Sequence, residues 1–183
     1  HQFGRNREGD FKHLKELSQV FGFNVEEIPA QELDEVKVSS TKVRGALLKG
    51  EVSKAAKYLG HNYKVSGIVV KGKQLGRKIG FPTANISVQD RYKLIPGNGV
   101  YAVIVRVQKK QYHGMMNIGV SPTVGGMLKP TMEVHIFAFN DDVYGNFCGV
   151  EFVKRLRDEV KFDSVEQLKS QLELDKIQAL NAF

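Results

Sequence analysis

Between Lys71 and Asn85 the chain reads KGKQLGRKIGFPTAN. From Gly72 onward it holds three glycines, three basic residues and then Pro-Thr-Ala-Asn. Glycines let backbone N–H groups approach phosphate oxygens with no Cβ in the way. Arg77 and Lys78 supply charge to neutralise those oxygens. The hydroxyl of Thr83 and the amide carbonyl of Asn85, two residues apart, are hard oxygen ligands. They suit Mg²⁺, which keeps several waters and is shared with substrate phosphates. The loop therefore suits a magnesium nucleotide, although the chain has no GxxxxGK[ST] of the P-loop type. A flexible loop of ordinary turn residues is the plainer reading.

Glu133 is the second candidate. It lies mid-strand on the face opposite Met132 and Val134. If the apolar side is the interior and nothing covers the other, Glu133 faces water. If its face lines a cleft, its carboxylate is a general base for a hydroxyl. His135 shares that face and reads as structural. Asn117 to Gly126, NIGVSPTVGG, is a ligand-binding flap or a long turn. Leu156 to Ser164, LRDEVKFDS, is a mixed-charge connection into a helix. Near the N-terminus FGRNREGD sets two arginines beside glycines. VSSTKVR puts Ser39, Ser40 and Thr41 at a helix start with Arg44 one turn in, which is an anion site or an ordinary cap.

The elements that must position these residues change character near residue 62. Before it the apolar period is helical. Phe11, Leu14, Leu17 and Phe21 follow an Asp10 N-cap and stop at Gly22. Phe23 to Ile28 reads as a short strand. A second helix starts at Ser39–Ser40 and stops at Gly50, and a third carries Val52, Ala55, Ala56 and Leu59 to Gly60. After residue 62 the period is two. Strands are predicted over Tyr63–Val70, Val100–Val107 (apolar on both faces, so central), Gln111–Ile118 after a turn at Lys109–Lys110, Thr131–Phe139 and Phe147–Leu156. Five strands without long intervening helices predict an antiparallel barrel or sandwich. A last helix follows Ser164 and Gln167 as a capping box, with Val165, Leu168 and Leu172 buried.

The composition allows this. The chain has 183 residues, 42% hydrophobic and 26% charged, close to globular values. Cys148 is its one cysteine, which excludes a disulfide framework and a multi-thiolate zinc site. No apolar run approaches the roughly 18 residues of a membrane helix, and no signal peptide is visible, so a cytoplasmic protein is expected. Net charge is +7, with ten Lys/Arg against nine Asp/Glu in residues 1–62 and seventeen against eleven after them. A basic excess of this kind points to an anionic partner, either nucleic acid or a phosphorylated small molecule, or simply to a solvated surface. A nucleic-acid-binding β-barrel is the alternative to an enzyme. It explains the charge, but not Thr-x-Asn or the in-strand glutamate, and the chain has no Trp for a stacking platform.

Taken together, GRKIGFPTAN, NIGVSPTVGG, MEVHIF, the DDVYG turn and FVKRLRDEVKFDS resemble, in order and spacing, the bacterial bifunctional riboflavin kinase/FMN adenylyltransferases, or FAD synthetases. HQFGRNREGD and VSSTKVR are similar to the rear of the adenylyltransferase module. The resemblance implies a mainly β fold for residues 63–183: a six-stranded antiparallel Greek-key barrel with a C-terminal helix, its sixth strand within Ala84–Leu94. Residues 1–62 would be the remnant of an α/β nucleotidyltransferase domain, with Ser39, Ser40, Thr41 and Arg44 from its phosphate motif. The five histidines, at 1, 13, 61, 113 and 135, make no HxGH motif. Adenylyl transfer by this chain alone is therefore not expected, and the missing front of that domain becomes a partner.

The implied reaction is ATP plus riboflavin to FMN plus ADP, with Mg²⁺ as cofactor and no nucleic acid or membrane partner. Glu133 would be the base, and Thr83 and Asn85 would hold metal and phosphate. Gly72, Lys73, Gly76, Arg77, Lys78, Gly80 and Pro82 would join them around ATP. Gly119, Pro122, Thr123, Arg157, Glu159 and Phe162 would meet the flavin.

Overall fold

The computed structural model describes residues 9–26, 32–33, 36–72, 75–122 and 128–183. The chain forms two compact units, His1–Val38 and Ser39–Phe183. In the first, helix α1 spans Phe11–Phe21. The Asp10 side chain accepts from His13 N–H at 2.8 Å, and Gly22 ends the helix with φ of 69°. The cap and stop are thus where the sequence placed them. Residues 23–26 have no regular structure, so the strand expected from Phe23 does not form there, and the rest of that segment lies outside the described residues. A two-residue ladder joins β1 (Glu32–Leu33) to β2 (Val36–Lys37).

In the second unit, α2 (Ser40–Leu48) and α3 (Val52–Leu59) precede the strands. Their Ala46, Leu47, Val52 and Ala55 are buried in the same apolar cluster as the strand residues. The Ser53 hydroxyl donates to the Val153 carbonyl at 3.0 Å. The strands are β3 (Tyr63–Val70), β4 (Ala84–Ser87), β5 (Gly99–Val107), β6 (Lys110–Pro122), β7 (Leu128–Ile136) and β8 (Phe147–Arg157), with one helical turn, α4 (Leu75–Lys78), between β3 and β4. They close into a barrel in the order β3-β4-β7-β6-β5-β8, every pair antiparallel. The sixth strand is β4, inside the interval the resemblance gave.

Period-two alternation fills the barrel with Val65, Val69, Ile86, Val103, Val105, Met116, Ile118, Met132, Val134, Val150 and Phe152. Tyr101 meets Phe152 edge-on at 5.3 Å. Strand β5 is apolar on both faces because its outward Ala102 lies in a second cluster with Phe81, Met115, Phe137 and Ala179. Ala179 belongs to the final helix, α5 (Val165–Leu180).

Four expectations about the strands and the last helix need correction. Strand β6 does not end at Ile118 before a flap or turn but runs on to Pro122, because residues 117–122 pair with β7; residues 123–126 lie outside the described residues. The β5–β6 turn is Gln108–Lys109, not Lys109–Lys110. Both residues have positive φ, 50° and 62°, the form a two-residue hairpin needs, but neither is the Gly or Asn that announces it. Strand β7 stops at Ile136 because Ala138, at φ 51°, turns the chain away. In α5 the Ser164 hydroxyl accepts from Gln167 N–H at 3.2 Å, as a cap should. Val165, however, is 56% exposed. The inward stripe is Leu168, Leu172, Asp175 and Ala179, with an acid at one of its most buried positions.

Candidate active site

Strand register assembles the site. Asn85 of β4 pairs with Glu133 of β7, and Glu133 pairs with Asn117 of β6. Side chains of directly paired residues share a face. Since Val134 and Met132 point into the core, the row Asn85–Glu133–Asn117 lies on the barrel's outer face. All three residues are half-buried. Thr83, just before β4, brings its hydroxyl to 3.5 Å from Glu133 Oε2. Gly72 lies so close to Asn85 that a Cβ there would overlap the Asn85 amide. The glycine thus keeps the entering loop against the row. The chain returns on itself after α4, with Phe81 N–H donating to the Gly76 carbonyl at 2.9 Å.

His135, next on the Glu133 face, is 8% exposed, and its Nδ1 is 2.8 Å from the Pro82 carbonyl oxygen. Burial holds its pKa below the usual value, with the Pro82 bond opposing and the Lys176 charge assisting.

Beside Thr83 a cleft of about 200 Å³ opens, lined by Arg77, Pro82, Thr83 and Ala84 on one side and by Phe139 to Tyr144 on another. From sequence, Asp141–Gly145 reads only as a turn and Phe139 as the end of a strand. Asp142 accepts from Tyr144 N–H at 3.0 Å, and Lys71 Nζ stands 5.7 Å from the Tyr144 ring centre. The pattern DDVYG signalled the turn, but not its place in the wall of a cleft.

On the other flank, Asn117 Nδ2 donates to Glu159 Oε1 at 3.4 Å. Glu159 lies over Gly119, where any Cβ would meet its carboxylate. Arg157 Nε and Nη2 donate to the two carboxylate oxygens of Asp175 at 2.8 and 2.7 Å, and its guanidinium carbon is 5.8 Å from the Phe162 ring centre. Arg155 donates to Asp158 Oδ1 and to the Asn98 carbonyl, each at 2.6 Å. The end of β8 is thereby tied to Asn98, to Asp175 of α5 and to the 158–162 segment that follows it.

The structure thus brings together Thr83, Asn85 and Glu133, and sets Gly119, Arg157, Glu159 and Phe162 along the same edge. Arg77 reaches the cleft, and Lys78 is exposed in α4 beside Gly76 and Gly80. Lys73 and Thr123 lie outside the described residues, as do the arginines of FGRNREGD. Pro122 ends β6, paired with Leu128. Ser39, Ser40, Thr41 and Arg44 lie exposed at the start of α2. Ser39 caps that helix by accepting from Lys42 N–H. No hydrogen bond or ion pair joins those four to the Glu133 row among the described residues. From sequence His135 reads as structural, and Asn117 only as the start of a flap or turn, not as a neighbour of Glu133. Asn117 becomes visible only through strand register.

The family model described as riboflavin kinase matches residues 59–183, and one described as FAD synthetase matches residues 1–42. The bifunctional riboflavin kinase/FMN adenylyltransferase of Haemophilus influenzae is 40% identical over the whole chain, which spans 58% of that protein. The Bacillus subtilis protein of the same name is 42% identical over 149 residues, 80% of this chain and 47% of its own. A Streptococcus pneumoniae crystal structure described as a macrolide-efflux protein superposes with a TM-score of 0.87 at 39% identity, covering 99% of this chain and 58% of that one. The chain therefore spans about half the length of these relatives. Among the described residues no helix is long and apolar enough to cross a membrane. Nothing in these matches supports the nucleic-acid alternative. With its barrel and the match over residues 59–183, the chain belongs to the riboflavin kinase family.

Proposed function

We propose that the chain transfers the ATP γ-phosphoryl group to the ribityl 5′-hydroxyl of riboflavin, with residues 63–183 as the kinase module. The observation that carries this reading is the row on the barrel's outer face, with the Glu133 carboxylate between two amides and the Thr83 hydroxyl 3.5 Å away.

Glu133 takes the 5′-hydroxyl proton as that oxygen forms its bond to the γ-phosphorus; the bond to the β–γ bridging oxygen breaks and ADP leaves. A primary alcohol is a weak nucleophile at neutral pH, and an aligned base is worth roughly 10²–10⁴-fold. The rest of the catalysis is positioning and charge neutralisation. Gly72, Lys73, Gly76, Arg77, Lys78, Gly80 and Pro82 wrap the phosphates. Gly119, Pro122, Thr123, Arg157, Glu159 and Phe162 close on the flavin.

The donors near Thr83 fit Mg²⁺. They are a hydroxyl and an amide carbonyl, both hard oxygens. No group of three or more His, Cys, Asp or Glu able to hold a metal occurs among the described residues. A sparse protein ligand set suits an ion that keeps its waters and binds mostly through phosphates. Thr83 and Asn85 would hold it, and it would offset charge on the phosphate oxygens.

The test mixes the chain with riboflavin and MgATP and separates the flavins by chromatography. FMN and ADP in equal amounts are expected. Glu133→Ala keeps flavin binding and lowers kcat at least about a hundredfold. A folded chain that makes no FMN refutes the kinase reading, and near wild-type turnover by Glu133→Ala refutes the base.

A further inference from the structure

The mechanism above leaves His135 without a role, although it is among the few buried polar side chains of the barrel. Its Nδ1 faces the Pro82 carbonyl oxygen at 2.8 Å. A carbonyl only accepts, so Nδ1 carries the proton and donates. The ring is held at 5.2 Å by Phe81 and 5.6 Å by Phe137, both edge-on. Pro82 has no N–H, so its own amide cannot be anchored. Its carbonyl shares one rigid peptide plane with Thr83 N. Whatever fixes that carbonyl fixes the plane from which the Thr83 side chain departs.

We propose that His135 is a positioning residue whose Nδ1–H locks the Pro82–Thr83 peptide plane and so aims the Thr83 hydroxyl at the metal–phosphate site beside Glu133. The proposal rests on the reading of Thr83 given above. It assigns the histidine to phosphate and metal placement, not to flavin binding and not to proton transfer.

Two variants separate this from a packing role. His135→Leu keeps bulk and loses the donor. His135→Asn keeps a nitrogen at the reach of Nδ1. Each is first checked for a cooperative thermal transition, and then titrated with MgADP by calorimetry and assayed for KM of both substrates. His135→Leu weakens MgADP binding and raises the KM for MgATP about tenfold, the size of one well-made hydrogen bond. The riboflavin KM changes far less, and His135→Asn recovers most of the loss. If His135→Leu leaves MgADP binding unchanged, if both KM values move together, or if His135→Asn is no better than Leu, the proposal is overturned. If Leu fails to fold, Asn decides alone: MgADP affinity near wild type supports the proposal, and a tenfold loss overturns it. Thr83→Val separates the two layers. If it leaves MgADP binding unchanged, the role of Thr83 is wrong and the proposal falls with it. If it weakens binding and His135→Leu does not, only the positioning role falls.

Discussion

Asp175→Asn tests the fastening of the 155–162 segment to the C-terminal helix. The Asp175 carboxylate is fully buried and accepts from Arg157 Nε, Arg157 Nη2 and Gln171 Nε2 at 2.7–2.8 Å. The Arg157 side chain is 19% exposed. An asparagine removes the charge and turns an N–H₂ toward a guanidinium that only donates. Removing one partner of a buried pair costs about 3–5 kcal/mol, because the other charge is left without compensation. Arg157 keeps its bond to the Asp158 carbonyl at 2.9 Å and some contact with water, so the lower end applies. A loss of about 3 kcal/mol lowers Tm by about 6–12 °C in a chain of this size.

Urea and thermal unfolding of wild type and Asp175→Asn measure the cost, and the double variant Arg157→Met/Asp175→Leu measures its origin. Replacing both charges by apolar groups of similar volume is often neutral or stabilising. The double variant is therefore expected to regain most of what the single variant loses. A single-variant loss below about 1 kcal/mol would place the pair with solvent-screened surface bridges. A double variant no more stable than the single would show that the loss comes from packing, not from an orphaned charge. Either result refutes the reasoning.

Asn85→Ala is expected to raise the magnesium concentration needed for half-maximal turnover; a titration matching wild type would remove Asn85 from the metal site. Stability is expected to fall on acidification in two stages, read by urea unfolding at pH 7, 5.5 and 4. His135 sits below its ordinary 6.5 because of burial. The unfolded chain therefore takes up that proton first, and stability drops as pH falls below about 6.5. For Glu151, burial alone would raise the pKa, but the hydrogen bonds and charges of Lys64 and Arg106 outweigh it and hold the group below its ordinary 4.5. Its contribution is present above 4.5 and is lost as pH falls through the native value. His135→Leu should flatten the upper stage only; a wild-type profile flat from pH 7 to 4 would refute both assignments.

Five of the six barrel strands and the helix ends were readable because they rest on local physics, whereas the short β4 came only with the resemblance. The continuous apolar run of β5, the alternation in β7, the side-chain caps at Asp10, Ser39 and Ser164, and glycines at 22, 50 and 60 each act within a few residues. The inward stripe of α5 was misread because Asp175 occupies a position where an apolar residue is expected, and its acceptability depends on Arg157, which lies on another element. The end of β7 was missed because Ala138 takes a positive φ with no residue type to announce it. Thr83, Asn85 and Glu133 were picked for their chemistry. That Asn117 stands on the other side of Glu133 follows only from the pairing of β6 with β7, and one residue of slip would turn Asn117 inward.

The outer face of this barrel holds two glutamates with different neighbours, and the difference bears on which of them does chemistry. The interior is filled with side chains, as a small barrel requires, so polar work falls to the outside. Glu151 is met there by Lys64 Nζ at 3.0 Å and Arg106 Nε at 2.8 Å, and its carboxylate is committed to cations. Glu133 stands between the amides of Asn85 and Asn117 with a threonine hydroxyl at the edge of hydrogen-bond reach, and no ion pair reaches it among the described residues. A carboxylate fixed to two cations resists taking a proton, because protonation forfeits both contacts. One flanked by neutral groups can accept a proton and hand it on without breaking an ion pair. Residue type alone nominates both glutamates equally; the neighbours set by strand register favour Glu133.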